Sequence, residues 1–532
     1  MKERRTGDAL LLGSDLGTSS TKTVLMSETG HLLAEAVQEY PMHRPHPDWA
    51  ENDPDDWLRA VLDTVRRVIA AAGADPARIR GWSLVSQRDP VVLLDEGGRV
   101  LTPSISWVDR RTLDLNRELF EIFGYTRLVD LTGVRPIGGL TLHNLVWTMR
   151  HRPDVWGQVR HILFAKDYVL YRLTGQIGTD SSTPSRSVMN DVRAGGWSHR
   201  ICDRMGIDVS LLPEIRWHPW QQLDELSATA AAATGLRPGI PIAAGGGDDQ
   251  SATLGAGVIS PGDICAGTGT ASCWRSVTDV CRPEPQGRAD LSPHVVPDRY
   301  VLEMTIASTG SSLRWLRDTF AQDALAEEAR TGKSAYDSLV EAAAQVPPGA
   351  DGLLYYPYLE GARTPRYNDD GSGVFFGLRA SHTRAHFVRA VLEGVAFQYP
   401  ATLALLASQG MGGGRFSLVD GETRSPLWNQ IKADVLGRPV HVPRVIQSAA
   451  VGAVILAGMA AGVFRDAQEG VEAVVHWDRV YEPDPLRQAR YRELGDRYER
   501  VYPMLDEAFH RAGAAPAAPA PAREPIIVGG SR

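Results

Sequence analysis

The chain has 532 residues, more than one ordinary hydrophobic core holds, so we expect two or more domains. Hydrophobic residues make up 43% and charged residues 23%, proportions typical of a soluble globular protein. The net charge of −8, without any long basic run, argues against nucleic acid as the main partner.

The first strongly patterned stretch is "LLGSDLGTSSTKTVLM", residues 11–26. Two alternating runs predict two strands joined by a polar turn. The turn carries Gly17, Thr18, Ser19, Ser20, Thr21 and Lys22. Backbone N–H groups and hydroxyls at such a tip bind phosphate, whereas Asp15 repels it unless a cation lies between, which predicts Mg²⁺ beside Asp15. An ordinary solvated turn is the alternative, since Gly, Ser and Thr are common turn residues.

A helix and two further strands follow the hairpin. Asp53 is a suitable N-cap, Pro54 fits the first turn, and Gly73 ends the predicted helix. The stretches "IRGWSLVSQ" and "PVVLLDE" then read as strands. The first hundred residues therefore predict an α/β fold.

Farther along, "AAGGGDDQSATLGAG" places three glycines before Asp248 and Asp249. Glycine permits close backbone approach and leaves the acids accessible at a strand end. Phosphoryl transfer to an alcohol needs a carboxylate that accepts the hydroxyl proton, and Asp248 or Asp249 is our candidate. The alternative is an Asp pair that only caps the next helix.

A second hairpin, "GDICAGTGTASCWRSV" at 262–277, repeats the glycine–hydroxyl turn about 250 residues after the first. Thr268 and Thr270 would contact phosphate there. Two such hairpins, each opening a long α/β segment, predict two domains of similar build that face each other across a cleft.

The remaining features of the sequence are four cysteines, one long apolar run and an Ala/Pro-rich end. No Cys-x-x-Cys pair occurs, and no histidine lies at ligand spacing, so reduced thiols in the cytoplasm are favoured over a zinc site. The apolar run 448–464 predicts a buried helix rather than a membrane span. The Ala/Pro-rich end predicts a disordered tail at 511–532. The cysteines are Cys202, Cys265, Cys273 and Cys281.

Together these motifs resemble the FGGY carbohydrate kinases, whose fold is shared with actin and hexokinase. "DLGTSSTK" and "GTGT" resemble the two phosphate motifs, "GGGDD" the catalytic Gly-Gly-Asp, and "VDGETRSPLWNQIKADVLGRPV" the adenine loop and its helix. "GVFFGLRASHTRAHFVRAVLE" matches the C-terminal signature at its glycines, His386 and Glu393. The resemblance covers about residues 10–462 and rests on several motifs in the family's order.

The resemblance implies two ribonuclease-H-like domains around a nucleotide cleft. It places an N-terminal domain with sugar site and catalytic base at 8–258, a nucleotide-binding domain at 259–480 and a helical extension at 481–510. It implies that ATP and Mg²⁺ bind in the cleft, that Asp15 lies near Mg²⁺ and that Asp248 is the base. The ATP-binding residues that it implies are Gly17, Thr18, Ser19, Ser20, Lys22, Gly267, Thr268, Gly269, Gly310, Gly421, Glu422 and Ser425.

Three positions depart from the usual pattern of the family. Glu422 replaces a glycine that lets the backbone approach the nucleotide, so either its side chain points away or nucleotide contact differs. Ala362 replaces an acid of a Gly-Glu-Arg-Thr-Pro motif. Asp249 stands where relatives carry Asn or Gln, and its charge is expected to raise the pKa of one member of the Asp248–Asp249 pair. A catalytically altered ATP-binding relative is therefore an alternative, against which the retained Asp15 and Asp248 argue.

The substrate loop, 86–112, mixes two patterns. Its leucine-rich strand and Trp-x-Asp-x-Arg end resemble xylulose kinases, whereas Gln-Arg-Asp resembles the Gln-Arg-Glu of glycerol kinases. We predict a sugar or polyol substrate, with D-xylulose as the best single candidate and glycerol or an alditol as the alternative; a membrane partner is not expected, and a homodimer is left open. The predicted substrate-binding residues are Gln87, Arg88, Asp89, Trp107, Asp109 and Asp249. Arg88 and Asp89 are expected to grip adjacent hydroxyls, and Trp107 to form an apolar wall.

Overall fold

The N-terminal sheet is built around the first predicted hairpin. In the computed structural model, which describes residues 9–513, strands Leu10–Leu16, Ser20–Ser27 and Leu32–Glu39 form an antiparallel meander. Ile79–Ser86 joins parallel to the first strand, Pro241–Ala243 lies parallel beside it, and Gln222–Glu225 forms the antiparallel edge. The carboxyl ends of the parallel strands Leu10–Leu16 and Ile79–Ser86 therefore lie next to each other.

The C-terminal sheet repeats this build. Ile264–Thr268, Ser272–Thr278 and Tyr300–Ile306 form the antiparallel meander, and Phe416–Val419 and Val440–Pro443 continue it in parallel. Trp477–Tyr481 closes one edge, and Asp290–Pro293 adds a seventh strand at the other. The mixed α/β fold with two domains of similar build is thus confirmed.

Short strands and the helices connect and cover the sheets. The short strands are Glu51–Asn52, Val91–Leu94, Ser104–Ile105, His161–Phe164, Thr179–Asp180, Asn190–Asp191, Gly196–Trp197, Ile215–Trp217, Leu354–Tyr356 and Val374–Phe376. The α-helices are Pro54–Ala72, Leu115–Phe123, Tyr125–Thr132, Thr141–His151, Pro153–Trp156, Ala165–Thr174, His199–Met205, Ala228–Thr234, Asp248–Gly255, Gly310–Phe320, Gln322–Thr331, Ala335–Ala344, Arg384–Ala396, Tyr399–Ser408, Pro426–Leu436, Ser448–Ala460, Ala467–Val474 and Pro485–Gly513. The 3₁₀ helices are Pro76–Arg78, Thr183–Arg186, Val209–Leu211, Ala350–Gly352 and Gly421–Arg424.

Helix Pro54–Ala72 begins and ends as its sequence predicts. The Asp53 carboxylate accepts a hydrogen bond from the N–H of Asp55, and Gly73 adopts the left-handed conformation, φ 57°. The apolar stripe of this helix packs into a core with the N-terminal sheet. A separate core fills the C-terminal half.

Helix Ser448–Ala460 joins the two halves. It comes late in the chain, yet it packs on the N-terminal sheet and on helix Asp248–Gly255. Gly255 lies against the carbonyl of Ser448 and Gly452 against that of Ser251, with no room for a Cβ atom at either. Residues Ser448–Gly458 are almost all buried, so the prediction of a buried helix is confirmed.

Two further predictions concern the ends and the apolar content of the chain. The predicted tail lies outside the described residues except for its first three, which end helix Pro485–Gly513. One stretch, Arg384–Ser408, is long and apolar enough to cross a membrane, but 72% of its most apolar window is buried within the fold. Such burial is what a core helix shows.

Candidate active site

The first hairpin closes through a backbone hydrogen bond of 3.0 Å from Gly17 N–H to the carbonyl of Ser20. Its tip is open: Ser19 is exposed, and Thr18 and Ser20 are partly exposed. Lys22 lies directly across the ladder from Asp15. The predicted phosphate donors are therefore gathered at one accessible turn.

Asp15 lies just below this tip. Its Oδ1 is buried and has no hydrogen-bond partner among the described residues. Burial, the largest effect, raises the pKa of Asp15 to about 6, although the positive charge of Lys22 opposes that rise. The negative charge of the Asp15 carboxylate is therefore only partly balanced by the protein.

The second hairpin has the same form. Thr268 pairs with Ser272 across the ladder, and their hydroxyls are 2.9 Å apart. Gly269 is exposed at the tip. Gly310 begins helix Gly310–Phe320 directly against the carbonyl of Gly269, which leaves no room for a side chain at Gly310. A helix N-terminus and a glycine turn therefore meet, an arrangement suited to phosphate.

The predicted adenine loop begins beside this hairpin, since Gly267 and Val419 are paired on parallel strands. The Asp420 carboxylate lies over Gly267, so a Cβ atom at Gly267 would collide with it. Gly421 opens the 3₁₀ turn Gly421–Arg424, and Ser425 caps the next helix by accepting from the N–H of Trp428. The Ser425 hydroxyl thus serves as a helix cap, and its hydrogen remains available to a ligand.

Glu422 turns away from the cleft. Its side chain is buried and forms an ion pair with Lys432, which is buried as well. The Lys432 ammonium group lies 4.4 Å from the centre of the Trp428 ring, and burial lowers its pKa. The departure at this position therefore resolves as an internal ion pair, and the Glu422 side chain does not line the nucleotide site as the sequence-based assignment had it.

The three glycines before Asp248 bring their loop onto strand Ile79–Ser86. Gly245 has φ +67° and packs against the carbonyl of Leu84, and Gly247 packs against the Arg88 side chain. No Cβ atom fits at either position. Asp248 then begins helix Asp248–Gly255. The expectation of close backbone approach is fulfilled, and it places the acid beside the substrate loop.

Asp248 and Asp249 have opposite environments. The Asp248 side chain is 32% exposed, and its Oδ1 accepts a hydrogen bond of 2.8 Å from the N–H of Asp249. Loss of solvent, then the charge of Asp249, raises the pKa of Asp248 well above its usual range. Burial acts in the same sense on Asp249, but the guanidinium groups of Arg275 and Arg88 outweigh it and lower the pKa of Asp249.

Arg88 and Asp89 do not act as a pair. The Arg88 guanidinium contacts Glu303 and Asp249, at 2.9 Å from Nη1 to Glu303 Oε1 and 2.7 Å from Nη2 to Asp249 Oδ2. Asp89 faces Arg186 instead, at 3.4 Å. The free donor–acceptor fork expected from the sequence is therefore absent, because both side chains are engaged by residues from elsewhere in the fold.

Gln87 and Trp107 tie the substrate loop to the first hairpin. Gln87 Nε2 donates a 3.1 Å hydrogen bond to the Gly17 carbonyl, and the Trp107 indole N–H donates a 2.8 Å hydrogen bond to the Thr18 hydroxyl. Trp107 remains 42% exposed, so its ring is available to form the predicted wall.

Asp109 is used within the fold. Its side chain is fully buried and accepts hydrogen bonds from the N–H groups of Ala50 and Arg111, at 2.6 and 2.8 Å, and from the Arg111 guanidinium. Both oxygens are occupied, by Arg111 of the substrate loop and by Ala50 outside it. We therefore do not retain Asp109 as a sugar ligand, because the carboxylate ties the substrate loop to the segment around Ala50.

Comparison with models of known protein families identifies the family of this chain. A model of the N-terminal domain of the FGGY family of carbohydrate kinases matches residues 10–255, and a model of its C-terminal domain matches residues 262–461. The chain belongs to the FGGY family of carbohydrate kinases. It is accordingly a sugar kinase that uses ATP.

Three relatives of this FGGY kinase are informative. Xylulose kinase of Bacillus subtilis (strain 168) is 29% identical over 493 residues, 92% of this chain and 96% of the relative. Gluconokinase of the same strain is 31% identical over 457 residues, 85% and 88% of the two chains. The crystal structure of xylulose kinase from Rhodospirillum rubrum matches with a TM-score of 0.84 and 32% identity, covering 94% of this chain and all of that one.

The FGGY kinase also contains cleft residues that we did not predict from the sequence: Arg186, Gln250, Arg275, Glu303 and Asp420. A signal was present for Glu303, which is an acid inside the apolar strand Tyr300–Ile306. A carboxylate in such a strand is buried, and burial requires a partner. Arg275 lies in the second hairpin, which we interpreted from its glycines and hydroxyls alone.

A chain of buried polar contacts lies behind Asp248, the predicted base. Lys166 lies 2.9 Å from Asp180, and the Asp180 carboxylate accepts a 2.6 Å hydrogen bond from the N–H of Ser182. The Ser182 hydroxyl in turn accepts a 3.0 Å hydrogen bond from the N–H of Gly247, next to Asp248. The segments "FAKDYVL", 164–170, and "TDSSTPSR", 179–186, are thus linked to the residue before Asp248 through this ion pair and these hydrogen bonds.

Proposed function

We propose that this FGGY kinase transfers the γ-phosphate of ATP to a hydroxyl of a neutral ketopentose, most simply D-xylulose. Two of the relatives above carry the name xylulose kinase, and both match over nearly their whole length. The gluconokinase is equally similar, so similarity alone does not separate a ketose from a sugar acid.

The charge of the cleft supports the ketose. Three guanidinium groups are joined by ion pairs to five carboxyl groups, one of which is Asp248 itself, at the 3.9 Å limit of an ion pair. Each guanidinium is already paired, so none of the three is left for the carboxylate of gluconate, and excess negative charge would repel it. The cations are Arg88, Arg186 and Arg275, and the acids are Asp89, Asp248, Asp249, Asp290 and Glu303.

In the proposed reaction, Asp248 accepts the proton of the attacking hydroxyl. Its raised pKa makes it a stronger base than an ordinary carboxylate, and its partial exposure leaves it open to the cleft. The two hairpins would hold the phosphates of ATP by backbone N–H groups and hydroxyls. The protein's contribution is then positioning and charge neutralisation.

Mg²⁺ fits the environment of Asp15. A buried oxygen without a hydrogen-bond partner, in a carboxylate whose charge is poorly compensated, is a suitable ligand for a hard cation. Within residues 9–513 no three His, Cys, Asp or Glu side chains are grouped to hold a metal. Asp15 would therefore share the ion with phosphate oxygens and water. When bound, Mg²⁺ neutralises charge on the phosphates.

We also propose a cytoplasmic location. All four cysteines are free thiols, and two of them are buried in the fold. Unpaired buried cysteines agree with a reducing compartment, where ATP is also available.

The test is ADP release measured with D-xylulose, gluconate, glycerol and a set of alditols. We expect kcat/KM for D-xylulose to exceed that for gluconate and glycerol by at least about tenfold. A preference for gluconate would contradict the charge argument, and a preference for glycerol would favour the alditol alternative.

The matched variant is Asp248→Asn, which keeps shape but accepts no proton. We expect kcat to fall by about a hundredfold or more, while the KD for the sugar stays within about twofold. Near-normal turnover of Asp248→Asn would mean that another group is the base.

A further inference from the structure

Three charged residues stand in a row across the C-terminal sheet. Asp290 is paired with Glu303 on the neighbouring strand, and Glu303 is paired with Arg275 on the next. Residues directly opposite on adjacent strands project to the same face of a sheet. The row therefore presents negative, negative and positive charge, in that order, toward the N-terminal half.

The N-terminal half answers this row with the complementary charges. Arg186 lies 3.4 Å from Asp290, Arg88 lies 2.9 Å from Glu303, and Asp249 lies 2.8 Å from Arg275 Nε. Three ion pairs in register thus join the two halves, between residues 26, 104 and 215 positions apart in the chain. They fix how the substrate loop meets the C-terminal sheet.

Glu303, at the centre of the row, is the most engaged of the three. It is 6% exposed, and both oxygens contact the Arg88 guanidinium. Its Oε1 also accepts hydrogen bonds of 2.6 Å from Gln250 Nε2 and from the Ser292 hydroxyl. Gln250 lies two residues after Asp248 on the same helix, so Glu303 contacts both the substrate loop and the helix that Asp248 begins.

Arg88 is the group that Glu303 restrains. Its Nε is 3.9 Å from Asp248 Oδ1, at the limit of an ion pair, while its two terminal nitrogens are directed at Glu303 and Asp249. A guanidinium released from Glu303 could move closer to Asp248, from which its Nε is now 3.9 Å away. Pairing there would neutralise the charge that the base needs.

We propose that Glu303 is a positioning residue for phosphoryl transfer, which holds Arg88 off Asp248 and thereby keeps the base free to take the proton. The inference rests on the proposed role of Asp248. A residue of a C-terminal strand thus helps to control the charge around the base of the N-terminal half. The base has this environment only when the two halves are in contact.

The charged groups around both residues are defined. Asp248 is faced by Asp249 on its own helix, Arg88 from the substrate loop and Asp15 from the first hairpin. Glu303 is faced by Arg88, Arg186, Arg275 and Asp290. Removing the charge of Glu303 therefore changes the field at Asp248 chiefly through Arg88, the one cation within residues 9–513 that contacts both.

The first experiment is Glu303→Gln, with kcat/KM for D-xylulose measured against pH. If Arg88 moves to Asp248, its positive charge favours the ionised carboxylate. The acid limb of the pH profile, where kcat/KM rises as the base loses its proton, should therefore move to lower pH by about one unit. The weaker base should also lower kcat about tenfold, while the KM for ATP stays within about twofold. A residue that only supports the fold would lower stability without moving the limb.

A second variant makes the test independent of Glu303→Gln folding well. In Arg88→Met with Glu303→Met, an apolar pair replaces the buried ion pair, which proteins often tolerate. Asp248 then loses its cation, so the acid limb should move to higher pH. The two variants are thus expected to shift the limb in opposite directions.

The control is Glu393→Gln, which removes a buried carboxylate bound to Arg389 and Tyr491 away from the cleft. It should lower the unfolding temperature and leave the acid limb in place. Limbs that stay fixed in both test variants, or move in the same direction, would overturn the role of Glu303. If Asp248→Asn itself retained turnover, the proposed base would be wrong, which is a separate result.

Discussion

The Trp107 indole N–H donates a 2.8 Å hydrogen bond to the Thr18 hydroxyl. This contact joins the substrate loop to the tip of the first phosphate hairpin, two segments 89 residues apart. The expected sugar wall therefore also orients an expected phosphate donor.

Trp107→Phe separates the two roles, because it keeps an aromatic face and removes the donor. Loss of a hydrogen bond of about 1 kcal/mol corresponds to about fivefold in affinity. We expect the KM for ATP to rise about fivefold and the KM for the sugar to stay within about twofold, in steady-state kinetics with each substrate varied. Trp107→Ala should raise both. An unchanged KM for ATP in Trp107→Phe would mean that the contact does not orient Thr18.

Asp15→Asn should stabilise the protein while it impairs Mg²⁺-dependent turnover. Burial raises the pKa of Asp15 from 3.8 to about 6, so the folded state binds this proton more tightly than the unfolded chain. Stability is therefore lost as pH rises from about 4 to above 6, by at most about 3 kcal/mol. The Asn variant lacks this cost.

The measurement is thermal unfolding in EDTA at pH 5 and pH 8, with turnover titrated against Mg²⁺. The variant's gain in unfolding temperature should be larger at pH 8 than at pH 5, and its Mg²⁺ requirement should rise. A loss of stability at pH 8 would show that the ionised Asp15 supports the fold through Lys22.

Asp89→Asn should impair the sugar site selectively. The change removes one of the two carboxylates that hold Arg186, leaving Asp290 as its partner. A polar group left with weaker pairing in a dry site costs about 1–3 kcal/mol. We expect the KM for the sugar to rise at least about fivefold and the KM for ATP to change little.

Asp109→Asn is the matched control for Asp89→Asn, since it alters a buried acid of the same loop. Its carboxylate holds Ala50 and Arg111, so we expect lower thermal stability and a KM for the sugar within about twofold of the parent. Selective loss of sugar affinity in Asp109→Asn alone would restore the sequence-based assignment of Asp109.

The Glu422–Lys432 pair should behave as a unit. Lys432→Met leaves Glu422 as an unpaired buried charge and should cost about 3–5 kcal/mol of unfolding free energy. Glu422→Leu with Lys432→Met should recover most of that loss, because an apolar pair of similar volume needs no partner. Urea unfolding of the single and double variants measures the coupling.

Nucleotide kinetics complete this test. The double variant should keep the KM for ATP within about twofold, because the Glu422 carboxylate faces the interior. The exposed pair Arg150–Glu118 is the control, and Arg150→Met should cost less than about 1 kcal/mol. A large change in the KM for ATP in the double variant would mean that the pair shapes the adenine loop.

The sequence by itself determined the local chemistry of this protein. Alternating runs around glycine–hydroxyl turns predicted both hairpins, and three glycines before Asp248 predicted the close approach that the Leu84 carbonyl now explains. These features are local, since a turn or a close contact requires particular residues at particular positions. The resemblance to the FGGY kinases rested on the same residues.

Only the tertiary structure decided which charges meet. Arg88 and Asp89 are neighbours in the chain, yet they face Glu303 and Arg186, because partners are set by strand register and by the packing of two halves. Asp109 and Glu422 have the residue types of ligands, but burial gives each an internal partner. A buried charge must be paired with another group. The sequence shows which residues are charged, but it does not show which residue is the partner of each.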